Sequence, residues 1–352
     1  MPGAIIDTIL PPPPPKVVAS STKRATRPTN KLPQSLIDGA RIAKRENFDA
    51  KKHVVYQPPS KIYTMKDIGL EGHGIAPTAV SEPFPLFSEE AIRQIRAECF
   101  SDEVMENCQY MSGFTKNMIR GMTYTRAPFT YDAWQSPELL AKVSEVAGVE
   151  LVPAFDWEIA NINVAVDEPN KDGSFTKAPS GDNLSTFAWH YDSFPFVCVV
   201  MLSDCTGMVG GETALRLPDG EIMKARGPTM GTAVVMQGRY IEHQALKAFG
   251  TGERITMITA MRPKSPFIRD ETVLAGVRGI SNLGEIYSQY SEYRLEILEE
   301  RIRARLKAER QAQFARREFD IQGMRNFLTE QRNFIDAMLD EIYEVEDDEP
   351  QN

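Results

Sequence analysis

Two histidines and one aspartate stand at spacings that suit a metal site. His190 and Asp192 are separated by one residue, and His243 lies further along the chain. In an extended segment, side chains two residues apart point to the same face, so His190 and Asp192 can reach one ion together. Two imidazoles and one carboxylate hold one face of a ferrous ion and leave positions open for dioxygen and an oxidisable cosubstrate. Arg254 is then a planar fork for the far carboxylate of that cosubstrate, and the set predicts an iron-dependent oxygenase.

The context of these residues adds more than the spacing itself. An acid two residues after a histidine is common by chance, because Asp and Glu occupy 49 of 352 positions. Here His190 precedes an apolar run, His243 follows a strand-like run and a turn, and Arg254 opens another such run. The other two histidines, His53 and His73, have no acidic partner at ligand spacing. We expect them at the surface or in loops.

Composition limits the class of protein. The chain has 42% apolar residues and no apolar run long enough to span a membrane, so we expect a soluble protein without a membrane partner. Residues 1–10 lack a basic leader and a proline run follows them, which predicts a cytoplasmic location. The four cysteines show no CxxC spacing and imply no disulfide framework. A net charge of −9 disfavours nucleic acid and favours an apolar or zwitterionic small molecule as the partner.

The N-terminal part differs in charge from the rest. Residues 1–58 carry ten Lys and Arg against four Asp and Glu, although the whole chain is acidic. The Pro-rich stretch 11–33 predicts a flexible or polyproline segment without its own core. Its role is open between a docking arm, a plain tail and an arm laid across the body. A short helix is predicted around 35–47.

Two helices and then a series of strands are predicted in the middle of the chain. Ser88 and Ser136 each precede an amphipathic run, as helix caps do. Beyond residue 153 the apolar runs become short and rich in Val, Ile, Thr, Phe and Met, which predicts an antiparallel sandwich or barrel. The predicted strands are 155–166, 196–202, 212–217, 221–224, 232–237 and 254–262.

The C-terminal part is predicted to be helical. Apolar residues recur every three to four positions in 283–322, and Gly323 is expected to separate this helix from a second one. The Arg-rich stretch 301–317 also contains Glu, which favours a solvated surface over a nucleic-acid surface. A homodimer formed through these helices is the functional alternative.

The sequence around these residues resembles that of a known family. The order His-x-Asp, distant His, then Arg-x-Ser/Thr is that of the Fe(II)/2-oxoglutarate-dependent dioxygenases. The segments 189–196, 210–213 and 238–244 look like a fungal branch of that superfamily, many members of which act in secondary metabolism. The resemblance covers about 150–265 closely and the preceding helical region more loosely.

The resemblance implies a fold and a division of the chain. The fold class is mixed α/β (α+β), with a double-stranded β-helix (jelly roll) core, N-terminal supporting helices and a C-terminal helical extension. The implied parts are a Pro-rich basic arm over 1–58, a dioxygenase domain over 59–270 and a helical extension over 271–352.

The resemblance also implies roles for particular residues. His190, Asp192 and His243 would hold Fe(II), while Arg254 and Thr256 would hold the C5 carboxylate of 2-oxoglutarate. Relatives that halogenate replace the aspartate with a small residue, so Asp192 disfavours halogenation. The spacing from His243 to Arg254 is one residue longer than in many relatives, which leaves Arg262 as an alternative clamp.

Further candidates lie beside the motif. Asn161 and Asn163 alternate on a strand and share one face, where they would hydrogen-bond cosubstrate or substrate if they point inward, or face solvent if they point outward. The polar stretch 167–186 is either a lid over the site or a surface loop. Phe187 and Trp189 either line the pocket or belong to the core.

The predicted activity is oxidation of a C–H bond in a small molecule, with O2 and 2-oxoglutarate as cosubstrates and succinate and CO2 released. An amino acid or a secondary-metabolite intermediate is the expected substrate. Two alternatives stay open. One is a non-catalytic jelly-roll protein that uses its metal site as a sensor or interaction element. The other is a zinc or other cupin-like hydrolase, which would have no need of Arg254.

Overall fold

A computed structural model describes residues 11–19, 25–28, 31–112, 115–166, 189–225, 229–250 and 252–345. The stretch predicted as a lid, 167–186, and Phe187 lie outside the described residues. Within the described ranges, no helix is both long enough and apolar enough to cross a membrane. The helices are α1 Gln34–Gly39, α2 Ala50–His53, α3 Glu89–Cys99, α4 Asp102–Asn107, α5 Thr123–Arg126, α6 Pro128–Gln135, α7 Pro137–Ala147, α8 Leu283–Phe314 and α9 Ile321–Glu341, with short 3₁₀ turns at Asp156–Glu158 and Arg278–Ile280.

The strands are antiparallel throughout the described sheets. They are β1 Ile62–Thr64, β2 Thr78–Ser81, β3 Phe84–Pro85, β4 Gln109–Tyr110, β5 Met118–Ile119, β6 Leu151–Pro153, β7 Asn161–Val166, β8 Phe196–Met201, β9 Val209–Gly210, β10 Thr213–Arg216, β11 Ile222–Ala225, β12 Thr232–Met236, β13 His243–Ala245, β14 Ala248–Phe249 and β15 Glu253–Pro263. The largest sheet has the order β1-β2-β12-β8-β15-β7-β5-β4, with β3 paired to β12 and β6 paired to β15. A smaller sheet has the order β11-β10-β13, and β9 pairs with β14.

The two predicted capped helices are confirmed. The Ser88 hydroxyl accepts a hydrogen bond from Ala91 N at the start of α3, and Ser136 caps α7 through Leu139 N in the same way. Each cap satisfies one of the backbone N–H groups that the first helical turn leaves unpaired. Gly148 ends α7 with a φ of 71°, a left-handed conformation that glycine adopts without a Cβ penalty. The mixed helix and antiparallel sheet content is therefore as predicted.

One predicted strand is shorter than expected. Residues 155–166 alternate like a strand, but Asp156–Glu158 forms a 3₁₀ turn and Ala160 has a φ of 57° before β7 begins. The Ala160 amide donates to Thr259 Oγ1 at 3.0 Å, which holds this uncommon conformation in place. The turn brings the side chain of Glu158 beside that of Asn161.

The main core lies between the large sheet and the helices α3, α6 and α7. β15 occupies the centre of that sheet, with β8 on one side and β7 on the other. Its odd-numbered residues Ile255, Met257 and Met261 belong to this core. Because strand side chains alternate, the even-numbered residues of β15 face the opposite side, where the candidate site lies.

The C-terminal helices α8 and α9 pack against the segment that follows His190 and Asp192. Ile286 and Tyr290 of α8 and Phe334 of α9 are buried in one cluster with Phe155 and Phe194. Phe194 is only two residues from Asp192. The helical extension therefore packs directly behind the segment that carries the first two predicted metal ligands.

Two expectations are corrected by the structure. Gly323 does not separate the C-terminal helices, because α8 ends at Phe314 and Asp320 caps α9, accepting from Gly323 N at 2.8 Å. His53 is not a surface residue: it is fully buried, and its ring stacks with Phe48 at 5.7 Å between centroids. Its Nδ1 accepts from Asp49 N at 2.9 Å, so it has a structural role in the core.

We expect Ile286→Ala to lower the free energy of unfolding by roughly 2–5 kcal/mol, because truncating a buried aliphatic side chain loses burial and leaves a cavity. Urea unfolding followed by circular dichroism measures this. Leu295→Ala on the same helix is the control, since Leu295 is 57% exposed and its truncation should cost within about 0.5 kcal/mol. Equal losses in the two variants would contradict the packing of α8 described above.

Candidate active site

A pair of backbone hydrogen bonds brings the two predicted histidine ligands together. His190 N donates to His243 O and His243 N donates to His190 O, each at 3.0 Å. This places them opposite one another in an antiparallel bridge, with ring centroids 4.4 Å apart. β13, which begins at His243, is itself paired to β10. The two rings are thus fixed by sheet hydrogen bonds and do not depend on a flexible loop.

Asp192 is held against the same pair. Its backbone N donates to Gly238 O at 3.0 Å. Its Oδ1 lies 3.5 Å from His243 Nε2 and 3.7 Å from His190 Nε2. A Cβ added to Gly238 would lie 1.8 Å from Asp192 Oδ2, so this backbone approach requires glycine.

These three side chains fit a divalent metal ion. Their candidate ligand atoms all lie within 4.8 Å of one another. Asp192 Oδ2 is buried and has no hydrogen-bond partner among the described residues, and an unpaired buried carboxylate oxygen is costly unless a cation compensates it. His243 Nδ1 donates to Ile241 O at 2.8 Å, which leaves Nε2 of the neutral ring as the ligand atom.

Electrostatics at the site favour a cation. Burial alone would raise the pKa of Asp192, but the neighbouring imidazoles of His243 and His190 outweigh it and lower the pKa. Burial alone would lower the pKa of His243, but Asp192 outweighs it and raises the pKa. The carboxylate therefore stays ionised and attracts positive charge, and a metal ion can replace the proton on His243.

A cavity of about 280 Å³ opens beside His190 and Asp192. Asn161 and Asn163 of β7 both line it, so both side chains point inward with the ligand pair. Trp189 lines it as well and stacks under Arg216 at 4.3 Å. Its apolar wall is formed by Met118, Phe194, Val197, Ile258, Ala260, Val277 and Ile280.

Arg254 and Thr256 lie on the same face of β15 as Ile258 and Ala260, which line the cavity. The first two are nearer the start of the strand and are not part of the cavity lining. Thr256 is opposite Asn163 of β7 in the sheet. Burial lowers the pKa of Arg254. Its Nη2 donates to Gly211 O at 3.3 Å, and its Nε has no partner among the described residues.

Arg262, the alternative clamp, is placed elsewhere. Its Nε donates to Ala154 O at 3.0 Å, and its guanidinium lies 4.7 Å from the Tyr293 ring centroid. It does not line the cavity of His190. Neither arginine has a carboxylate partner among the described residues, but of the two only Arg254 has a buried Nε without a hydrogen-bond partner there, since Arg262 Nε is bonded to Ala154 O.

Sequence reasoning missed a buried ion pair in the cavity wall. Arg120, just after β5, pairs with Glu158 of the 3₁₀ turn, and Glu158 also accepts from Asn161 Nδ2 at 2.7 Å. A charged residue inside an apolar run was the only local signal. The pairing itself joins residues 38 positions apart and cannot be read from spacing.

Part of the basic arm borders the same cavity. Val17 and Val18 contribute to the lining, and Val17 Cγ1 would lie 3.4 Å from a Cβ on Gly276. Arg239 donates a hydrogen bond to Pro15 O, and Arg239 directly follows Gly238. Residues 11–19 of the arm thus lie across the body next to the site.

Comparisons with known proteins find likeness only among solved structures. No family model matches the chain, and no curated protein matches it. A prolyl-4-hydroxylase from Pseudomonas putida is 16% identical over 51% of this chain and 89% of its own, with a TM-score of 0.30. AviO1 from Streptomyces viridochromogenes is 16% identical over 53% of this chain and 90% of its own, with a TM-score of 0.35. HygX from Streptomyces hygroscopicus, solved with nickel, 2-oxoglutarate and hygromycin B, is 13% identical over 53% of this chain and 83% of its own, with a TM-score of 0.33. At these values the function has to be argued from the residues of the site.

We expect Gly238→Ala to weaken metal binding by about tenfold or more, because the new methyl group would displace Asp192 Oδ2. Calorimetric titration with Ni(II) measures the affinity. Gly39→Ala is the control, since a Cβ there meets no atom within 4 Å. Unchanged affinity in Gly238→Ala would contradict the role of Asp192 as a ligand.

Proposed function

We propose that the chain is an Fe(II)- and 2-oxoglutarate-dependent oxygenase that oxidises a C–H bond of a small molecule. The observation that carries the proposal is the convergence of His190, Asp192 and His243, with one carboxylate oxygen buried and unpaired. Two imidazoles and one carboxylate on one face are the ligand set of non-heme Fe(II) oxygenases. Arg254, whose buried Nε has no hydrogen-bond partner among the described residues, adds a site for the far carboxylate of 2-oxoglutarate.

The sheet arrangement supports the finer reading of the fold as a double-stranded β-helix. The ligand-bearing strand β13 belongs to the smaller sheet, whereas Arg254 and Thr256 belong to the central strand of the larger one. A site that takes residues from two antiparallel sheets is what a jelly roll would provide, and this supports the proposal. The fungal secondary-metabolism branch remains part of the proposal and rests on the motif segments alone.

The residues of the chain divide the work. His190, Asp192 and His243 would hold the iron, which when bound supplies oxygen activation. Arg254 would donate to the C5 carboxylate of 2-oxoglutarate and Thr256 would donate its hydroxyl to the same group. Overall, one oxygen atom of O2 enters succinate as CO2 leaves, and the other enters the substrate as a hydroxyl group or leaves as water when a desaturation or ring closure occurs. The apolar wall of the cavity keeps water from the reacting centre.

A sensor or a hydrolase would use the metal ligands without this arginine. Neither alternative accounts for the Arg254 guanidinium on the site face of β15, which has no carboxylate partner among the described residues. An oxo-diacid cosubstrate does account for it, because a buried charge needs an opposite charge for compensation.

Anaerobic addition of Fe(II) and 2-oxoglutarate is expected to produce a weak visible charge-transfer band, and admission of O2 is expected to release succinate. His243→Ala should abolish both while the circular dichroism spectrum is retained.

Arg254→Gln should keep metal binding but raise the KM for 2-oxoglutarate by at least about tenfold, since it removes a charged hydrogen bond. Arg262→Gln is the matched control and should leave this KM unchanged.

Two results would overturn the proposal. One is iron binding without any succinate under aerobic conditions, which would favour the sensor. The other is an equal loss in the two arginine variants, which would remove the assignment of Arg254.

We propose a second copy of the chain as the macromolecular partner. The distal parts of α8 and α9 expose large apolar side chains that nothing in the described residues covers, and such patches favour association. Phe314 is 93% exposed and Ile321 is 67% exposed. These positions lie away from the part of α8 that packs behind the site.

The double variant Phe314→Asp, Ile321→Asp is expected to be monomeric where the unaltered protein is dimeric, as measured by light scattering on a sizing column. The charges would make burial in an interface unfavourable. Tyr124→Asp on α5 is the control for a new charge at an exposed aromatic position. A monomer before substitution would show the partner proposal to be wrong.

A further inference from the structure

One wall of the cavity carries a buried polar cluster that the metal site does not use. Arg120 and Glu158 form an ion pair in which the two side chains are 7% and 3% exposed. Asn161 is 4% exposed and donates through Nδ2 to Glu158 Oε2 at 2.7 Å. All three line the cavity together with His190 and Asp192. We name Arg120, Glu158 and Asn161 the head-group cluster.

Two atoms of the head-group cluster have no hydrogen-bond partner among the described residues. They are Arg120 Nε, which can only donate, and Asn161 Oδ1, which can only accept. Buried polar atoms in folded proteins are nearly always paired, so an unpaired donor and an unpaired acceptor in one cavity wall indicate a ligand. That ligand must offer an acceptor to Arg120 and a donor to Asn161.

The charges of the cluster narrow the ligand further. Arg120 and Glu158 neutralise each other, so a ligand with a net charge would be left without compensation in this wall. The unpaired donor, Nε, belongs to the cationic side chain of Arg120. The unpaired acceptor, Oδ1, belongs to Asn161, whose amide donates a hydrogen bond to the anionic Glu158. A zwitterion matches both points, because its carboxylate can face Arg120 and its ammonium group can face Asn161 and Glu158.

The rest of the cavity sets the size and character of the ligand. A volume of about 280 Å³ lies at the lower end of ligand pockets and suits a small molecule. Beyond the cluster the wall is mainly apolar, with Val197 and Ile258 among its residues. A small zwitterion with an apolar side chain fills such a space without leaving buried polar groups unpaired.

The register of β7 separates this cluster from the cosubstrate end. Asn163 is opposite Thr256, whereas Asn161 is opposite Ile258, two residues further from Arg254. Two residues of strand correspond to about 6.7 Å. Asn161 is therefore displaced along the sheet from the residues proposed for the C5 carboxylate, and Asn163 is the asparagine that stays with them.

We propose, on the basis of the oxygenase function above, that the substrate is a free α-amino acid with an apolar side chain. Arg120 Nε donates to its carboxylate, and Asn161 Oδ1 accepts from its ammonium group. The side chain lies along the apolar wall on the metal side, where a C–H bond can be oxidised. Asn161 thus becomes a substrate-binding residue, whereas the sequence left both Asn161 and Asn163 open between cosubstrate and substrate.

The first test uses free amino acids and blocked derivatives as probes. L-Valine, L-leucine and L-phenylalanine are titrated calorimetrically into the protein loaded with Ni(II) and 2-oxoglutarate, beside their N-acetyl and methyl ester forms. At least one free amino acid should bind, and both blocked forms should bind about tenfold or more weakly, since each loses one charged hydrogen bond. The same amino acid should raise succinate release in the Fe(II) protein above the rate without substrate.

The second test separates substrate from cosubstrate. Asn161→Ala should raise the KM for the amino acid by about tenfold and change the KM for 2-oxoglutarate by no more than about twofold. Asn117→Ala is the matched control, because Asn117 also has a buried, unpaired Oδ1 but does not line the cavity. Arg120→Lys keeps the charge that pairs with Glu158 and removes the Nε donor. It should therefore reduce the ratio of affinities between the free amino acid and its methyl ester. This measurement tests the inference even if Asn161→Ala does not fold.

Three outcomes would overturn the inference while leaving the oxygenase proposal intact. They are equal binding of blocked forms and free amino acids, no binding of any of the three free amino acids, and a raised KM for 2-oxoglutarate in Asn161→Ala. In each of these outcomes the unaltered protein still binds iron and 2-oxoglutarate and still forms succinate. Failure of the oxygenase proposal is different, since then no succinate forms under any condition.

Discussion

The backbone bridge between His190 and His243 is the constraint on which the site depends. Its two hydrogen bonds, each 3.0 Å long, tie a segment that comes before β8 to the start of β13. Without this pairing the two imidazoles would sit on independent segments, and the entropy of fixing them would oppose metal binding. Asp192 depends on the same arrangement, because its amide is held by Gly238, which lies a few residues before His243. A preformed ligand set of this kind keeps the three ligand atoms close before any ion is bound.

The central strand β15 contributes side chains both to the main core and to the candidate site. Its odd-numbered side chains enter the main core, and its even-numbered side chains face the site. Arg254 and Ile258 therefore take their positions from the same hydrogen bonds that hold the core together. The neighbouring strands on both sides leave the backbone no freedom to move the Arg254 guanidinium to solvent, so its charge has to be compensated within the site.

Local sequence signals predicted the parts of the fold that local physics determines. Ser88 and Ser136 satisfy backbone groups within one turn, so their helices could be read directly. The spacing of His190 and Asp192 could be read for the same reason. The burial of His53 could not, because it depends on Phe129, which is distant in sequence. The Arg120–Glu158 pair was missed because only the folded sheet brings β5 and the 3₁₀ turn together.

The cluster that joins α8 and α9 to Phe194 has a thermodynamic consequence for the metal site. Phe194 follows Asp192 by two residues and shares its buried contacts with Ile286 and Phe334. Free energy that holds these helices in place also restricts the ligand segment, and linkage requires the effect to be mutual. An ion bound by Asp192 would then raise the melting temperature of helices that never touch it. Heat capacity scans of apo and loaded protein would report on the two as one cooperative unit.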